Sequence, residues 1–127
     1  WITALMRGVS LRFDGSGEQS RDLCYVDNVV DACERAVTTP GQLLARPYNI
    51  ACGDRTTNNQ IYEYLKKEFK VAPRIDAPER PGDVMHTQAD ITRAREELGY
   101  VPLVRFFEGL DKTIAWNRDN WDKIKDM

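Results

Sequence analysis

Two short segments concentrate the side chains best suited to hold an anion: Gln19-Ser20-Arg21-Asp22 and Glu79-Arg80-Pro81-Gly82-Asp83. A guanidinium presents a planar fork of donors that matches phosphate oxygens, and a nearby aspartate can accept from ribose hydroxyls. On residue types alone, surface ion pairs explain both segments equally well. Other chemistry is thinner. Tyr62-x-x-x-Lys66 has the spacing at which a lysine lowers a phenol's pKa for acid–base work, but no dinucleotide fold precedes it, so it reads as the edge of a surface helix. Gly15-Ser16-Gly17 lacks the third glycine and the following helix that a phosphate-cradling loop needs, and reads as a turn. His86 is the only histidine, which removes histidine-rich metal sites and leaves a serine–histidine–aspartate triad resting on one residue. It reads as a satisfied loop or core side chain. Glu96 and Glu97 are adjacent on a helix, point to different sides, and read as a solvated face.

These residues need elements to position them. Val9 to Phe13 alternates weakly, Asp14 to Gly17 supplies a turn, and Arg21 to Val26 resumes the pattern, which predicts a short β-hairpin. Asp27 is placed to cap a helix that buries Val29, Val30, Cys33, Ala36 and Val37, turns Asp31, Glu34 and Arg35 outward, and ends near Thr39-Pro40-Gly41. Pro47 to Cys52 reads as a buried strand. Thr57-Asn58-Asn59-Gln60 is a capping box, opening a helix to about Phe69 with Ile61, Tyr64, Leu65 and Phe69 on its apolar face. Val71-Ala72-Pro73 breaks that helix, a brief extended segment follows at Arg74-Ile75-Asp76, and Pro78 to Thr87 is loop. Asp90 caps a helix through Leu98, closed by Gly99 in a left-handed conformation, with Pro102 blocking continuation. A last helix packs Phe106 or Phe107, Leu110 and Ile114, and frays after Asn117.

The composition bounds the rest. At 127 residues, 42% hydrophobic and 30% charged, the chain has the arithmetic of one globular domain, able to bury roughly two thirds of its unfolded surface without staples. A net charge of −2 gives no basic field for nucleic acid. The apolar runs fall far short of the roughly 20 residues that span a bilayer. Cys24, Cys33 and Cys52 are odd in number and match neither a zinc knuckle nor a redox pair, so they read as core thiols of a reducing compartment. The start, Trp1-Ile2-Thr3, carries no secretory h-region and no initiator methionine, which suggests a cut.

Read together, Phe13 to Asn28, Tyr48 to Gly53, Arg80-Pro81-Gly82-Asp83-Val84, Ala89-Asp90-Ile91 and Leu98-Gly99-Tyr100-Val101-Pro102 resemble, in this order, the C-terminal half of extended short-chain dehydrogenase/reductases, the NAD-dependent epimerases and dehydratases of nucleotide sugars. The resemblance runs from Trp1 to about Trp116. Ser20 to Tyr25 and Gly82 to Asp90 look most like bacterial UDP-N-acetylglucosamine 4-epimerases of surface-polysaccharide synthesis. Leu23 and Met85 stand where members carry phenylalanine and commonly arginine, which bears on the sugar more than on the nucleotide.

The resemblance implies an α/β fold: a small mixed domain of about four helices with a short hairpin and a few short strands, lacking most of a Rossmann sheet. Residues 1–127 would then be one UDP-sugar-binding domain of a cytoplasmic enzyme. NAD, the glycine-rich fingerprint and the catalytic tyrosine, lysine and serine or threonine would belong to an absent N-terminal Rossmann domain, so this chain would bind no cofactor, carry no catalytic residue and show no turnover alone. By the same resemblance Arg21 and Arg80 contact the diphosphate, Asp83 lies near the ribose, Leu11 and Phe13 hold uracil through their backbone, and Thr87 lies near the sugar. The implied partners are a UDP-sugar and the Rossmann domain, with no nucleic acid or membrane, and the native dimer interface is expected to be absent. The alternatives are another UDP-sugar epimerase, a decarboxylase, a 4,6-dehydratase, or a non-catalytic nucleotide-sugar-binding module.

Overall fold

The computed structural model describes residues 1–41, 43, 45–70 and 74–126. The expected break at Val71-Ala72-Pro73 lies outside them. In chain order the elements are α1 (Ile2–Met6), β1 (Arg12–Asp14), β2 (Ser20–Arg21), α2 (Val26–Thr38), β3 (Thr56–Thr57), α3 (Asn58–Glu68), β4 (Ile75–Ala77), α4 (Thr92–Leu98), α5 (Phe106–Asp119) and α6 (Trp121–Ile124). The mixed α/β class is as expected, with six helices among the described residues against about four. The excess comes from the two shortest, α1 and α6.

The chain forms two compact units, each discontinuous in sequence: residues 1–21, 56–86 and 112–127 in the first, residues 22–55 and 87–111 in the second. In the first unit the expected hairpin does not form. β1 runs parallel to β4, with Arg12 opposite Ile75, Phe13 opposite Asp76 and Asp14 opposite Ala77. β2 pairs antiparallel with β3, Ser20 opposite Thr57 and Arg21 opposite Thr56. The turn between β1 and β2 is real, but it is wedged against other side chains. A Cβ on Gly17, at φ +79°, would lie 2.3 Å from the Asn59 side-chain oxygen. Asn59 N in turn donates to Gly17 O, so the turn is tied to the start of α3 and not closed as a ladder. α3 begins as the sequence dictates: Thr57 Oγ1 accepts from Gln60 N, and Gln60 Oε1 accepts from Thr57 N. Leu65 on its inner face, with Leu5, Leu11, Phe13 and Ile114, is buried. Phe13 stacks on Trp1 and meets the edge of Tyr62.

The second unit is organised around α2 and α4. Its core is Ala32, Ala51, Ile91, Ala94, Leu98 and Tyr100. Asp27 does not cap α2 but lies in its first turn; the cap is Tyr25, two residues earlier, and the helix ends at Thr38 as expected, but it buries another face. Asn28 and Ala32 are covered, whereas Val29, Val30 and Val37 are exposed, as is Cys33. Alanines on the covered face let α4 approach closely, and Arg35, expected outward, is half-buried, donating to Gly99 O at 2.8 Å and pairing with Asp31. Pro47 to Cys52 forms no strand. Its carbonyls are met by side chains instead: Arg93 reaches Pro47 O and Tyr100 Oη reaches Ala51 O, both at 2.8 Å. α4 ends on Gly99 at φ +62° as expected. Asp90 accepts from Thr92 N without being the capping residue, which is Ile91. Glu97 is not simply solvated, because it accepts from Tyr48 Oη at 2.6 Å and pairs with Arg46. Among the described residues no helix is long and apolar enough to cross a membrane.

Candidate functional site: a cavity lined by paired arginines and aspartates in the first unit

Arg80-Pro81-Gly82-Asp83 is a tight turn. Asp83 N donates to Arg80 O at 3.1 Å, proline takes the second position, and Gly82 at φ +80° takes the third, where only glycine sits without strain. Such a turn places its first and fourth side chains side by side. Both line a cavity of about 470 Å³, together with Trp1, Arg12, Asp14, Asn58, Pro81 and Gly82. That volume falls in the range of small-ligand sites.

The turn is held against β2 by four hydrogen bonds. Ser20 N donates to Met85 O at 2.9 Å, and Ser20 Oγ lies 2.9 Å from His86 Nδ1. Arg21 reaches Asp83 Oδ1 at 2.6 Å and Met85 O at 3.4 Å. Ser20 is buried, so His86 is a satisfied loop histidine. Arg21 does not itself line the cavity, but its guanidinium meets the cavity through Asp83. In contact with this turn, Asp14 holds two cations at once: Oδ1 accepts from Arg12 Nε at 2.8 Å and Oδ2 pairs with Arg80 at 2.6 Å. The hydrogen bond from Arg12, joined by the charges of Arg12 and Arg80, keeps the Asp14 carboxyl below the usual carboxylate range against the opposing effect of burial.

Of the residues expected at a site, Arg80 and Asp83 line the cavity and Arg21 is joined to them. Leu11 and Phe13 are each 1% exposed, with their side chains in the core. Their main chain is engaged as well. Ile75 N donates to Leu11 O and Gly15 N to Ala77 O, so this parallel register turns the peptide groups of Leu11 and Phe13 toward β4 and those of Arg12 and Asp14 away from it. Thr87 is exposed, belongs to the second unit and does not line this cavity. Arg12 and Asp14 were missed; the strand period of Leu11 and Phe13 as core residues was the signal that could have found them.

Asp22 follows Arg21 directly yet does something else. Its carboxylate accepts from three backbone groups of the second unit, Cys52 N at 2.9 Å, Gly53 N at 3.0 Å and Ala89 N at 3.3 Å. It is thus a brace for the chain, not a ribose acceptor. Tyr62 and Lys66 make no acid–base pair: Lys66 lies over the Tyr62 ring, 5.5 Å from its centre, and pairs with Glu63. No cluster of three or more metal-ligating side chains occurs among the described residues.

Residues 1–51 match the family model described as "NAD dependent epimerase/dehydratase family". A UDP-glucose 4-epimerase of Mycolicibacterium smegmatis is 32% identical over 123 residues, 91% of this chain and 37% of that protein. Among solved structures, UDP-glucose 4-epimerase from Thermotoga maritima with UDP-glucose superposes with a TM-score of 0.83 at 35% identity, over 94% of this chain and 38% of that one. UDP-N-acetylglucosamine 4-epimerase from Methanobrevibacter ruminantium, in complex with UDP-N-acetylmuramic acid, does so with 0.80 at 30%, over the same shares. Other relatives are UDP-glucuronate 4-epimerases and dTDP-glucose 4,6-dehydratases. The chain spans 26% to 38% of the length of these relatives. On sequence and fold together, it belongs to the NAD-dependent epimerase/dehydratase family, as part of an extended short-chain dehydrogenase/reductase fold.

Proposed function

We propose that this chain is the nucleotide-sugar-binding part of a UDP-sugar 4-epimerase, with UDP-N-acetylglucosamine as the favoured substrate. The observation that carries the reading is the Arg80–Asp83 turn on the cavity rim, with Arg21 docked on Asp83. Retention of a sugar that must turn over during epimerisation falls to the nucleotide, a remote group whose binding energy keeps the reacting part in place. Arg80 and Arg21 supply the charge for a diphosphate, Asp83 an acceptor for a ribose hydroxyl, and the edge of β1 at Arg12 and Asp14 the peptide groups for a base.

The residues present do not suit NAD. The Gly15–Gly17 turn leads into β2, so it offers no helix N-terminus to a dinucleotide's pyrophosphate. Hydride chemistry then belongs to an N-terminal Rossmann portion, and this chain alone should not turn over substrate. The exposed Val29, Val30 and Val37 of α2 give such a portion an apolar face to cover.

The test is a calorimetric titration of the chain with UDP, UDP-N-acetylglucosamine and dTDP. UDP should bind, weakly, and Arg80→Ala or Arg21→Ala should weaken it about ten- to a hundredfold, the loss of one charge-assisted bond of about 1.5–3 kcal/mol. Indifference of both variants would refute the reading. A second reading, a 4,6-dehydratase acting on a dTDP-sugar, draws on the relatives of that activity and would be favoured by preference for dTDP over UDP.

A further inference from the structure

Asp14 carries the feature that the binding reading leaves unexplained: a carboxylate on the wall of a cavity suited to an anion. Its side chain is only 13% exposed, while those of Arg12 and Arg80 are 66% and 68% exposed. The geometry is asymmetric in what it costs to open. Withdrawing Arg80 from a solvent-facing ion pair costs little. Stripping a mostly covered carboxylate of every cation costs far more. Because Arg12 sits on Oδ1 and Arg80 on Oδ2, Arg80 can leave while Arg12 keeps Asp14 compensated.

We infer that Asp14 is a resident counter-anion which the ligand's diphosphate replaces on Arg80, and that Arg12 is a positioning residue that makes this exchange possible by remaining on Asp14. The cavity thereby holds Arg80 at its wall, paired and oriented. An incoming phosphorylated ligand takes over Arg80, and a neutral ligand has nothing to offer in the exchange. Asp14 thus lowers affinity for every anion that must displace it from Arg80 and leaves ligands that do not engage Arg80 unaffected. Arg12 acts on binding through Asp14 and does not grip the phosphate.

This inference rests on the reading that Arg80 binds the diphosphate, and the test separates the two. UDP is titrated calorimetrically into the chain carrying Asp14→Asn, Arg12→Gln, both together, or Arg80→Ala, with circular dichroism confirming the fold of each. Asp14→Asn should tighten UDP binding roughly threefold to tenfold, and Arg12→Gln should weaken it by a similar factor, since Arg80 is then the only cation left to Asp14. The double variant should bind like Asp14→Asn, a reversal of sign that a structural lesion at Arg12 would not produce. Asp14→Ser, lacking both charge and amide, must follow Asp14→Asn. If the double variant is as weak as Arg12→Gln, Arg12 touches the ligand and the inference falls. Weaker binding by both Asp14 variants also overturns it. If Arg80→Ala leaves UDP binding unchanged, it is the underlying reading that fails, and the exchange with it.

Discussion

The two units use the same side-chain types in opposite ways. In the first, the polar groups at the cavity are paired with one another: Arg12 and Arg80 with Asp14, Arg21 with Asp83, most of them facing solvent. In the second, Arg35 with Asp31 and Glu97 with Tyr48 and Arg46 also pair side chain to side chain, but the polar groups around the core are paired with the backbone. Asp22 accepts from three peptide N–H groups, buried Asn28 both donates to Val104 O and accepts from Val104 N, and the Tyr100 hydroxyl donates to Ala51 O. A side chain bonded to another exposed side chain can change partners at small cost. One bonded to the backbone cannot leave without stranding a buried group. Arg21 and Asp22, adjacent in sequence, differ in this way: Arg21 meets the Asp83 carboxylate as well as the Ser20 and Met85 carbonyls, whereas Asp22 is bonded to backbone N–H groups.

The largest expected effect breaks the brace. Asp22→Ala removes the acceptor of three backbone N–H groups and should destabilise the chain by about 3 kcal/mol or more in urea unfolding. The same change at Asp83 should cost under about 1 kcal/mol. Should the two be equal, the contrast between units is false. Tyr100→Phe keeps the ring and strands Ala51 O, so it should cost about 1–2 kcal/mol by the same measurement.

Base should sharpen the contrast. Tyr48 is raised above its ordinary value by its hydrogen bond to the Glu97 carboxylate, and Tyr100 is raised by burial, both in the second unit. The folded state therefore holds these protons more tightly than the unfolded chain, and the stability they contribute is complete below about pH 10 and lost as pH rises beyond it. Trp1, Trp116 and Trp121 all lie in the first unit, so tryptophan fluorescence follows that unit while far-ultraviolet circular dichroism follows both. On alkaline titration the dichroism should fall first. Acid does not discriminate, since Asp14 in one unit and Asp90 in the other are both lowered, and their contributions fade together as pH drops through and below about 4. The smallest effect is expected at the exposed stripe of α2, where Val30→Lys should change stability by less than about 0.5 kcal/mol. A larger loss would mean that this face is covered.

What could be read in advance was local. The Thr57–Gln60 capping box, Gly99 as a left-handed helix end and the Arg80–Asp83 loop depend on residues within four positions of one another. What could not be read depends on distant partners. β1 pairs with residues some sixty positions away instead of with β2, because the Gly17 turn is anchored on Asn59. The period of α2 showed that the helix is two-faced. It could not show that Ala32 would meet α4 while the valines stayed outside. At the cavity, Arg21 and Arg80 stood out by type, but type alone fitted surface ion pairs equally well and only the family resemblance pointed to a diphosphate, whereas Arg12 and Asp14 were hidden by a one-residue choice along a strand. Asp22 was hidden because a carboxylate's partners are backbone groups that no composition reveals.

The central claim is that exposed cations at the cavity trade a protein carboxylate for a ligand's phosphates, and a crystal structure of the chain with UDP tests it most directly. The diphosphate should lie within hydrogen-bond distance of the Arg80 guanidinium, with the Asp14–Arg80 pair opened and Arg12 still on Asp14. UDP seated away from this cavity, or seated in it with the Asp14–Arg80 pair intact, would rule the exchange out.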